Sequence, residues 1–233
     1  MIPAYERTLI VSAGDGLSAA IARALYGAGL RIGLAARNTA KLAGLADNLG
    51  AATHPCDASD PKQVAALFSA MDEALGGAPD VVVYNPSARV RGPLIELDPG
   101  DVARALAVTA HGGLLVAQAA AKRMLPHGHG AILFTGASAS VKGYPGSAPF
   151  AMGKFALRGL AQSMARELAP KGIHVAHFVI DGVIRNPGRS EPGDAPDSML
   201  DPDAIARTYL HVLQQDRSAW TWEVELRPWV ERF

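Results

Sequence analysis

The sequence is short of cysteine. Cys56 stands alone among 233 residues, which excludes an intramolecular disulfide and fits a reducing, cytoplasmic location. It also lacks an excess of charge of either sign, because 22 Lys+Arg face 22 Asp+Glu. Nucleic acid and anionic membrane surfaces both call for basic excess, so neither is expected as a partner. No run of 18 apolar residues occurs, so no transmembrane helix is expected. The opening MIPAYERTLIV has no basic segment and no long apolar stretch, so no signal peptide is expected. What the chain does have is apolar mass. A hydrophobic share of 49% can build a large core without a disulfide or metal staple.

Strand-like and helix-like patterns alternate from end to end. Buried-strand patterns fall at 8–12 (TLIVS), 32–36 (IGLAA), 51–55, 80–84 (DVVVY), 131–135 (AILFT), 173–179 and 221–226 (TWEVEL). Helical spacing falls at 17–28, 39–49, 61–75, 102–125, 148–169 and 203–214, with a bend expected at Gly112 and Gly113. Asp60 and Pro61 read as an N-cap followed by proline at the first helical position. Continuous apolar strands imply burial on both faces. Their alternation with helices implies right-handed crossovers and a parallel sheet. The expected fold is a single-domain α/β doubly wound parallel sheet, a Rossmann fold of about seven strands over residues 1–233. Residues 182–201, rich in proline and glycine, read as a lid or a disordered segment.

The first strand runs into SAGDGLS and a helix begins at once. Gly14 and Gly16 let the backbone turn tightly and approach a pyrophosphate, and the helix N-terminus offers free N–H groups to it. After the second strand an NAD site wants an acidic residue for the ribose 2′-hydroxyl. This chain has Arg37, which suits a 2′-phosphate and favours NADP(H) over NAD(H); Asp15 opposes that preference. His127 and His129 in PHGHG have no adjacent carboxylate or cysteine, so no metal is expected there. His111 and His177 read as helix and strand residues rather than acids.

On these residues the chain resembles the short-chain dehydrogenase/reductase family, along nearly its whole length. The family's opening glycines (TGxxxGxG) fall on Ser12, Gly16 and Ser18. Asp57 in CDASD looks like the adenine-contacting aspartate. Tyr84-Asn85-Pro86-Ser87 stands where the family has NNAG, and Asp181-Gly182 where it has PG. The resemblance implies a dinucleotide held by Ser12, Gly14, Asp15, Gly16, Leu17, Arg37, Asp57, Asn85, Lys154, Gly182 and Val183. It also implies four catalytic positions. The family's YxxxK falls on Phe150 and Lys154, so the lysine is kept and the tyrosine is not. Its helix asparagine falls on Thr109. Its serine usually precedes the tyrosine by about 13 positions, which is Ala137 here; Ser138, one residue later, fills the role if the following loop is one residue shorter. Ser140 is a poorer candidate.

In the family the tyrosine hydroxyl protonates the developing alkoxide while the lysine lowers its pKa and holds the ribose. Phenylalanine has no proton to give, and losing a general acid typically costs roughly 10²–10⁴-fold in rate. Tyr144, in the loop VKGYPG, is a candidate substitute acid. Two functions follow. One is an NADP(H)-dependent oxidoreductase for a small carbonyl or alcohol with an altered proton donor. The other is a catalytically impaired NADP(H)-binding protein acting as a sensor or assembly subunit. The family commonly forms homodimers or homotetramers, and the long helix at 148–169 and the tail with Trp220, Trp222 and Trp229 are compatible with this.

Overall fold

The computed structural model describes residues 4–86 and 88–231. Seven parallel strands form one sheet in the order β3-β2-β1-β4-β5-β6-β9. They are β1 (Arg7–Val11), β2 (Arg31–Ala36), β3 (Ala52–Pro55), β4 (Val81–Tyr84), β5 (Gly130–Thr135), β6 (Ile173–Ile180) and β9 (Glu223–Leu226). The order reverses between β1 and β4, and the crevice at the C-terminal ends of those two strands is where such folds hold ligands. Strands β4, β5 and β6 are buried at every position, as two-sided coverage requires.

Helices α1 (Leu17–Gly27), α2 (Ala43–Leu49) and α7 (Pro202–Leu213) pack on one face with Ile10, Leu34, Val83, Leu133 and Phe178. Helices α3 (Pro61–Ala74), α5 (Gly112–Met124) and α6 (Ala148–Leu168) pack on the other with Leu9, Val82, Ile132 and Val175. Tyr209 of α7 stacks on Phe178 at 3.6 Å between ring centroids, and its hydroxyl meets Thr135 Oγ1 at 2.8 Å. The helical run 99–127 is long and apolar enough by composition to cross a membrane. Its Val116, Ala117, Ala120 and Met124 are occupied by the sheet and the neighbouring helices instead.

Some boundaries differ from the sequence reading for identifiable reasons. Helix α4 (Pro99–Leu106) starts three residues before the expected position, because Asp98 caps it by accepting from Asp101 N at 2.8 Å. Asp60 and Asp201 cap α3 and α7 in the same way, each followed by proline. The helix expected at 39–49 divides into a 3₁₀ turn, Thr39–Leu42, and α2, because the Asn38 side chain accepts from Ala40 N. The bend expected at Gly112 and Gly113 takes the form of a π-helical turn, Ala107–His111, between α4 and α5. There the Tyr84 hydroxyl donates to the Val108 carbonyl. A Cβ on Gly112 would stand 2.5 Å from that hydroxyl oxygen, so only glycine allows this approach.

Residues 182–201 are more regular than expected. The two-residue strands β7 (Val183–Ile184) and β8 (Met199–Leu200) pair in parallel, and Arg185 and Asp201 form an ion pair at 3.3 Å. Asn186 Cβ lies against Gly16, so this segment covers the β1–α1 turn. In the tail, Trp222 packs against the core, Trp220 stacks on His174 at 4.5 Å, and Trp229 is exposed. His129 stacks on Tyr5 and meets the Ala4 carbonyl.

Two features carry testable consequences for stability. His177 of β6 is fully buried, with Nδ1 3.1 Å from Glu223 Oε2. Arg158 of α6 donates to both oxygens of Glu223, at 2.6 and 2.8 Å. Burial pushes the His177 imidazole down to about 4, against the opposing pull of Glu223. An unfolded chain has an ordinary imidazole near 6.5. Between those values the unfolded state binds more protons. Stability therefore falls as pH drops from about 6.5 to about 4, by up to about 3 kcal/mol, and levels off below. Urea unfolding at stepped pH should show this slope in the wild type and a shallower one in His177→Asn; equal slopes in the two proteins would remove the imidazole from the explanation. The second feature is Ser12, which adopts φ = 63°. A side chain costs about 1–2 kcal/mol in this left-handed region, partly offset by glycine's extra freedom when unfolded. Ser12→Gly should raise stability by about 1 kcal/mol, or ~2–4 °C in Tm; a lower Tm would mean the serine side chain makes a compensating contact.

Candidate functional site

The C-terminal edge of the sheet carries a cavity of ≈ 850 Å³. It runs from the turn Ser12–Asp15 past Arg37, Lys41, Asp57 and Asn85 to Arg89. A smaller apolar cavity of ≈ 180 Å³ beside Trp220 and Trp222 lies away from this edge. Helix α1 opens at Gly16 with no side-chain cap and no acidic residue in its first turn. Its leading N–H groups are therefore left for an anion. Nothing lies within 4 Å of where a Gly14 Cβ would be, which leaves open space against that backbone. Leu17 is buried as the first helical residue, while Asp15 is exposed.

Asp57 accepts from Ser59 N at 3.0 Å and Ser59 Oγ at 2.7 Å, both on Oδ1. These bonds, helped by the Arg37 charge, hold its carboxyl below the usual range. The other oxygen is left to accept from a ligand amine. Arg37 is exposed on the cavity rim, and Lys41, four residues on, lines the same wall. Asn85 is fixed by donation from Nδ2 to Ser18 Oγ at 2.6 Å. Burial pushes the Cys56 thiol up to about 11, so it is an unreactive part of the wall. Ser87 lies outside the described residues.

Lys154 is 3% exposed. Its Nζ donates to the Thr135 carbonyl at 2.7 Å and to the Pro86 carbonyl at 3.1 Å. It thus joins α6 to the segment after β4 and to the last residue of β5. Burial, and then the Arg89 charge, push its ammonium down to about 7; the two carbonyls favour the charged form. Phe150 stands one helical turn earlier, with its ring centroid 5.8 Å from Lys154 Nζ. Arg89 lies over the same ring at 4.6 Å. Thr109, 2% exposed in the π-turn, abuts Gly153 beside Lys154; a Cβ on Gly153 would meet Thr109 Cβ at 2.9 Å.

The two serine candidates separate clearly. Ser140 is fully buried and its Oγ accepts from Ala137 N at 3.1 Å, so it closes a turn. Ser138 is half-buried at the start of the 3₁₀ turn Ser138–Ser140, and among the described residues its hydroxyl has no protein partner. Tyr144 is 42% exposed. Its ring is 5.9 Å from Lys142 Nζ, which pairs with Asp181 at 3.2 Å. Gly182 follows at φ = 151°, where a Cβ would meet Pro228, and Val183 is half-exposed beside it. The structure therefore brings Phe150, Lys154 and Thr109 together and leaves Tyr144 with Lys142. The sequence reading missed Arg89 and Lys41. Lys41 has the signal of standing four residues after Arg37; Arg89 has no local signal, because its position over Phe150 depends on a crossing of two loops.

Comparison with known proteins agrees with this geometry. A family model described as enoyl-(acyl carrier protein) reductase matches residues 11–215. A short-chain dehydrogenase from Rhodopseudomonas palustris is 35% identical, with a TM-score of 0.82 over 97% of this chain and 100% of its own. An alcohol dehydrogenase from the archaeon Thermococcus sibiricus, solved with 5-hydroxy-NADP, is 26% identical with a TM-score of 0.85 over 97% and 98%. An uncharacterized oxidoreductase of Staphylococcus aureus (strain N315) is 25% identical over 94% of this chain and 96% of its own. The match spans the cofactor turn, the helix carrying Lys154 and the last helix alike, and on that footing the chain belongs to the short-chain dehydrogenase/reductase family.

Proposed function

We propose that the chain is an NADP(H)-dependent oxidoreductase acting on a small carbonyl or alcohol, with a proton donor other than residue 150. The observation that carries this reading is the preserved cradle, from the uncapped α1 N-terminus through Arg37 and Asp57 to the buried Lys154. Its chemistry fits the cofactor part by part. The N–H groups of α1 suit the pyrophosphate, Arg37 and Lys41 suit a 2′-phosphate, and Asp57 suits the adenine amine. Lys154 suits the nicotinamide ribose. The Thermococcus neighbour's 5-hydroxy-NADP supports the same choice of dinucleotide. When bound, the reduced cofactor supplies two electrons and a hydrogen to the carbonyl carbon. The chain must then deliver one proton to the carbonyl oxygen, with Ser138 offering a hydrogen bond to that oxygen.

Tyr144 is the proposed source of the proton. Its phenol hydroxyl is a proton donor of the kind that residue 150 lacks, and Lys142, hydrogen-bonded to Asp181, stands beside its ring. Thr109 and Lys154 then serve to position the cofactor. A second reading, NADP(H) binding without turnover, is favoured by the Arg89 guanidinium lying on the ring of Phe150. Residues 182–201 form the lid in both readings, because Asn186 already lies over Gly16.

Arg37→Ala should weaken NADPH binding about tenfold and leave NADH binding unchanged, since one charge-assisted contact to phosphate is lost. Fluorescence titration with both dinucleotides checks this, and an equal effect on the two would assign the preference elsewhere. Tyr144→Phe should lower kcat on a carbonyl panel by about 10²-fold or more at unchanged NADPH affinity. If wild type turns over and Tyr144→Phe matches it, the proton has another source. If wild type binds NADPH and reduces nothing, while Phe150→Tyr becomes active, the second reading holds.

A further inference from the structure

We propose that Arg89, with Arg91 and Arg189 around it, is a carboxylate-recognition site, so that the substrate is a small carbonyl or alcohol compound bearing a carboxylate. The inference rests on the oxidoreductase reading for the words "carbonyl or alcohol", while the anion site itself stands on the arginines.

Arg89 lies over Phe150, its Cζ 4.6 Å from the ring centroid. Stacking uses the face of a guanidinium and leaves its N–H edges free, the arrangement that grips a carboxylate through two parallel hydrogen bonds. Main-chain contacts order the two loops that carry these arginines. Gly92 N donates to the Gly146 carbonyl at 3.1 Å, which crosses the Arg89–Arg91 loop over the segment leading into Phe150. Asn186 and Arg189 exchange main-chain bonds at 2.9 and 3.2 Å, which closes the lid turn carrying Arg189.

The charges are unbalanced. Arg104, Arg123, Arg158 and Arg185 each meet a carboxylate. Among the described residues, Arg89, Arg91 and Arg189 meet none. Burial and the like charges of Arg91 and Arg189 instead lower the pKa of Arg89. Like charges within reach of one another repel, and a bound anion offsets the repulsion. The anionic groups of the cofactor have their own receptors at the α1 N-terminus and at Arg37. The Arg89 cluster sits at residue 150, the position that in this family faces the substrate, so the anion it awaits is the substrate's.

The test uses the full chain loaded with NADPH, with benzoate and benzamide as probes and calorimetric titration as readout. Wild type should bind benzoate about tenfold or more tightly than benzamide. Arg89→Gln should abolish the difference while the variant still binds NADPH. Equal binding of the two probes, or binding of neither, overturns the proposal. So does an Arg89→Gln variant that loses NADPH affinity while keeping the benzoate preference, since the guanidinium would then serve the cofactor. In parallel, 4-carboxybenzaldehyde should be reduced in preference to its methyl ester. Arg89-dependent benzoate binding without any carbonyl turnover would sink the oxidoreductase reading and uphold the anion site. Turnover of neutral carbonyls without benzoate preference would do the reverse.

Discussion

The Lys154 ammonium is shut away from water and satisfied by two main-chain carbonyls, those of Thr135 and Pro86. An ammonium left bare at that depth would be costly. The carbonyls are therefore a condition of the fold, and they fix three things together. They hold α6 over the C-terminal ends of β4 and β5. They set the register of α6, and so place Phe150 one turn away. They also turn the segment after β4 inward, which carries Asn85 to Ser18 and Arg89 to the ring of Phe150. An ammonium has three N–H donors, so the two given to the carbonyls leave one for the proposed cofactor ribose.

The π-helical turn at Ala107–His111 is the second constraint, and it depends on the first. Its Val108 carbonyl accepts from Tyr84, whose side chain lies at the end of β4. Gly112 and Gly113 are needed because Tyr84 and Leu157 occupy the space their side chains would take. The turn sets Thr109 against Gly153, beside Lys154. A π-turn inside a helix is uncommon and often sits at a functional site; here it borders the buried Lys154. The other edge of the sheet is held differently. Arg158, Glu223 and His177 form a partly buried chain of polar groups that ties β9 to β6 and α6.

Much of this was legible in the sequence, and the reasons are local. Continuous apolar runs marked β4, β5 and β6, because strands covered on both faces have no polar side to show. Gly14 and Gly16 marked the cofactor turn, because close backbone approach admits little else. Ser12 stands where the family pattern has glycine, and its φ of 63° lies in the left-handed region that favours glycine. Boundaries were less legible. Asp98 and Pro99 carry the same capping signal as Asp60 and Pro61, and α4 begins there, three residues before the helical spacing that starts at residue 102. Residues 182–201 read as irregular from their prolines, and only the pairing of β7 with β8 made them regular.

The sequence by itself determined the parallel sheet, the glycine turn between β1 and α1, and the placing of Phe150 four residues before Lys154. Each of these is written in residue identity and short-range spacing. Only the tertiary structure decided how those residues are used. It separated Ser138 from Ser140 by giving Ser140 to the Ala137 amide. It set Tyr144 beside Lys142 and Arg89 upon Phe150. The first two contacts lie within one loop, whereas Arg89 and Phe150 stand far apart in the chain, and their geometry comes from how loops cross at the sheet's edge, which no local pattern encodes.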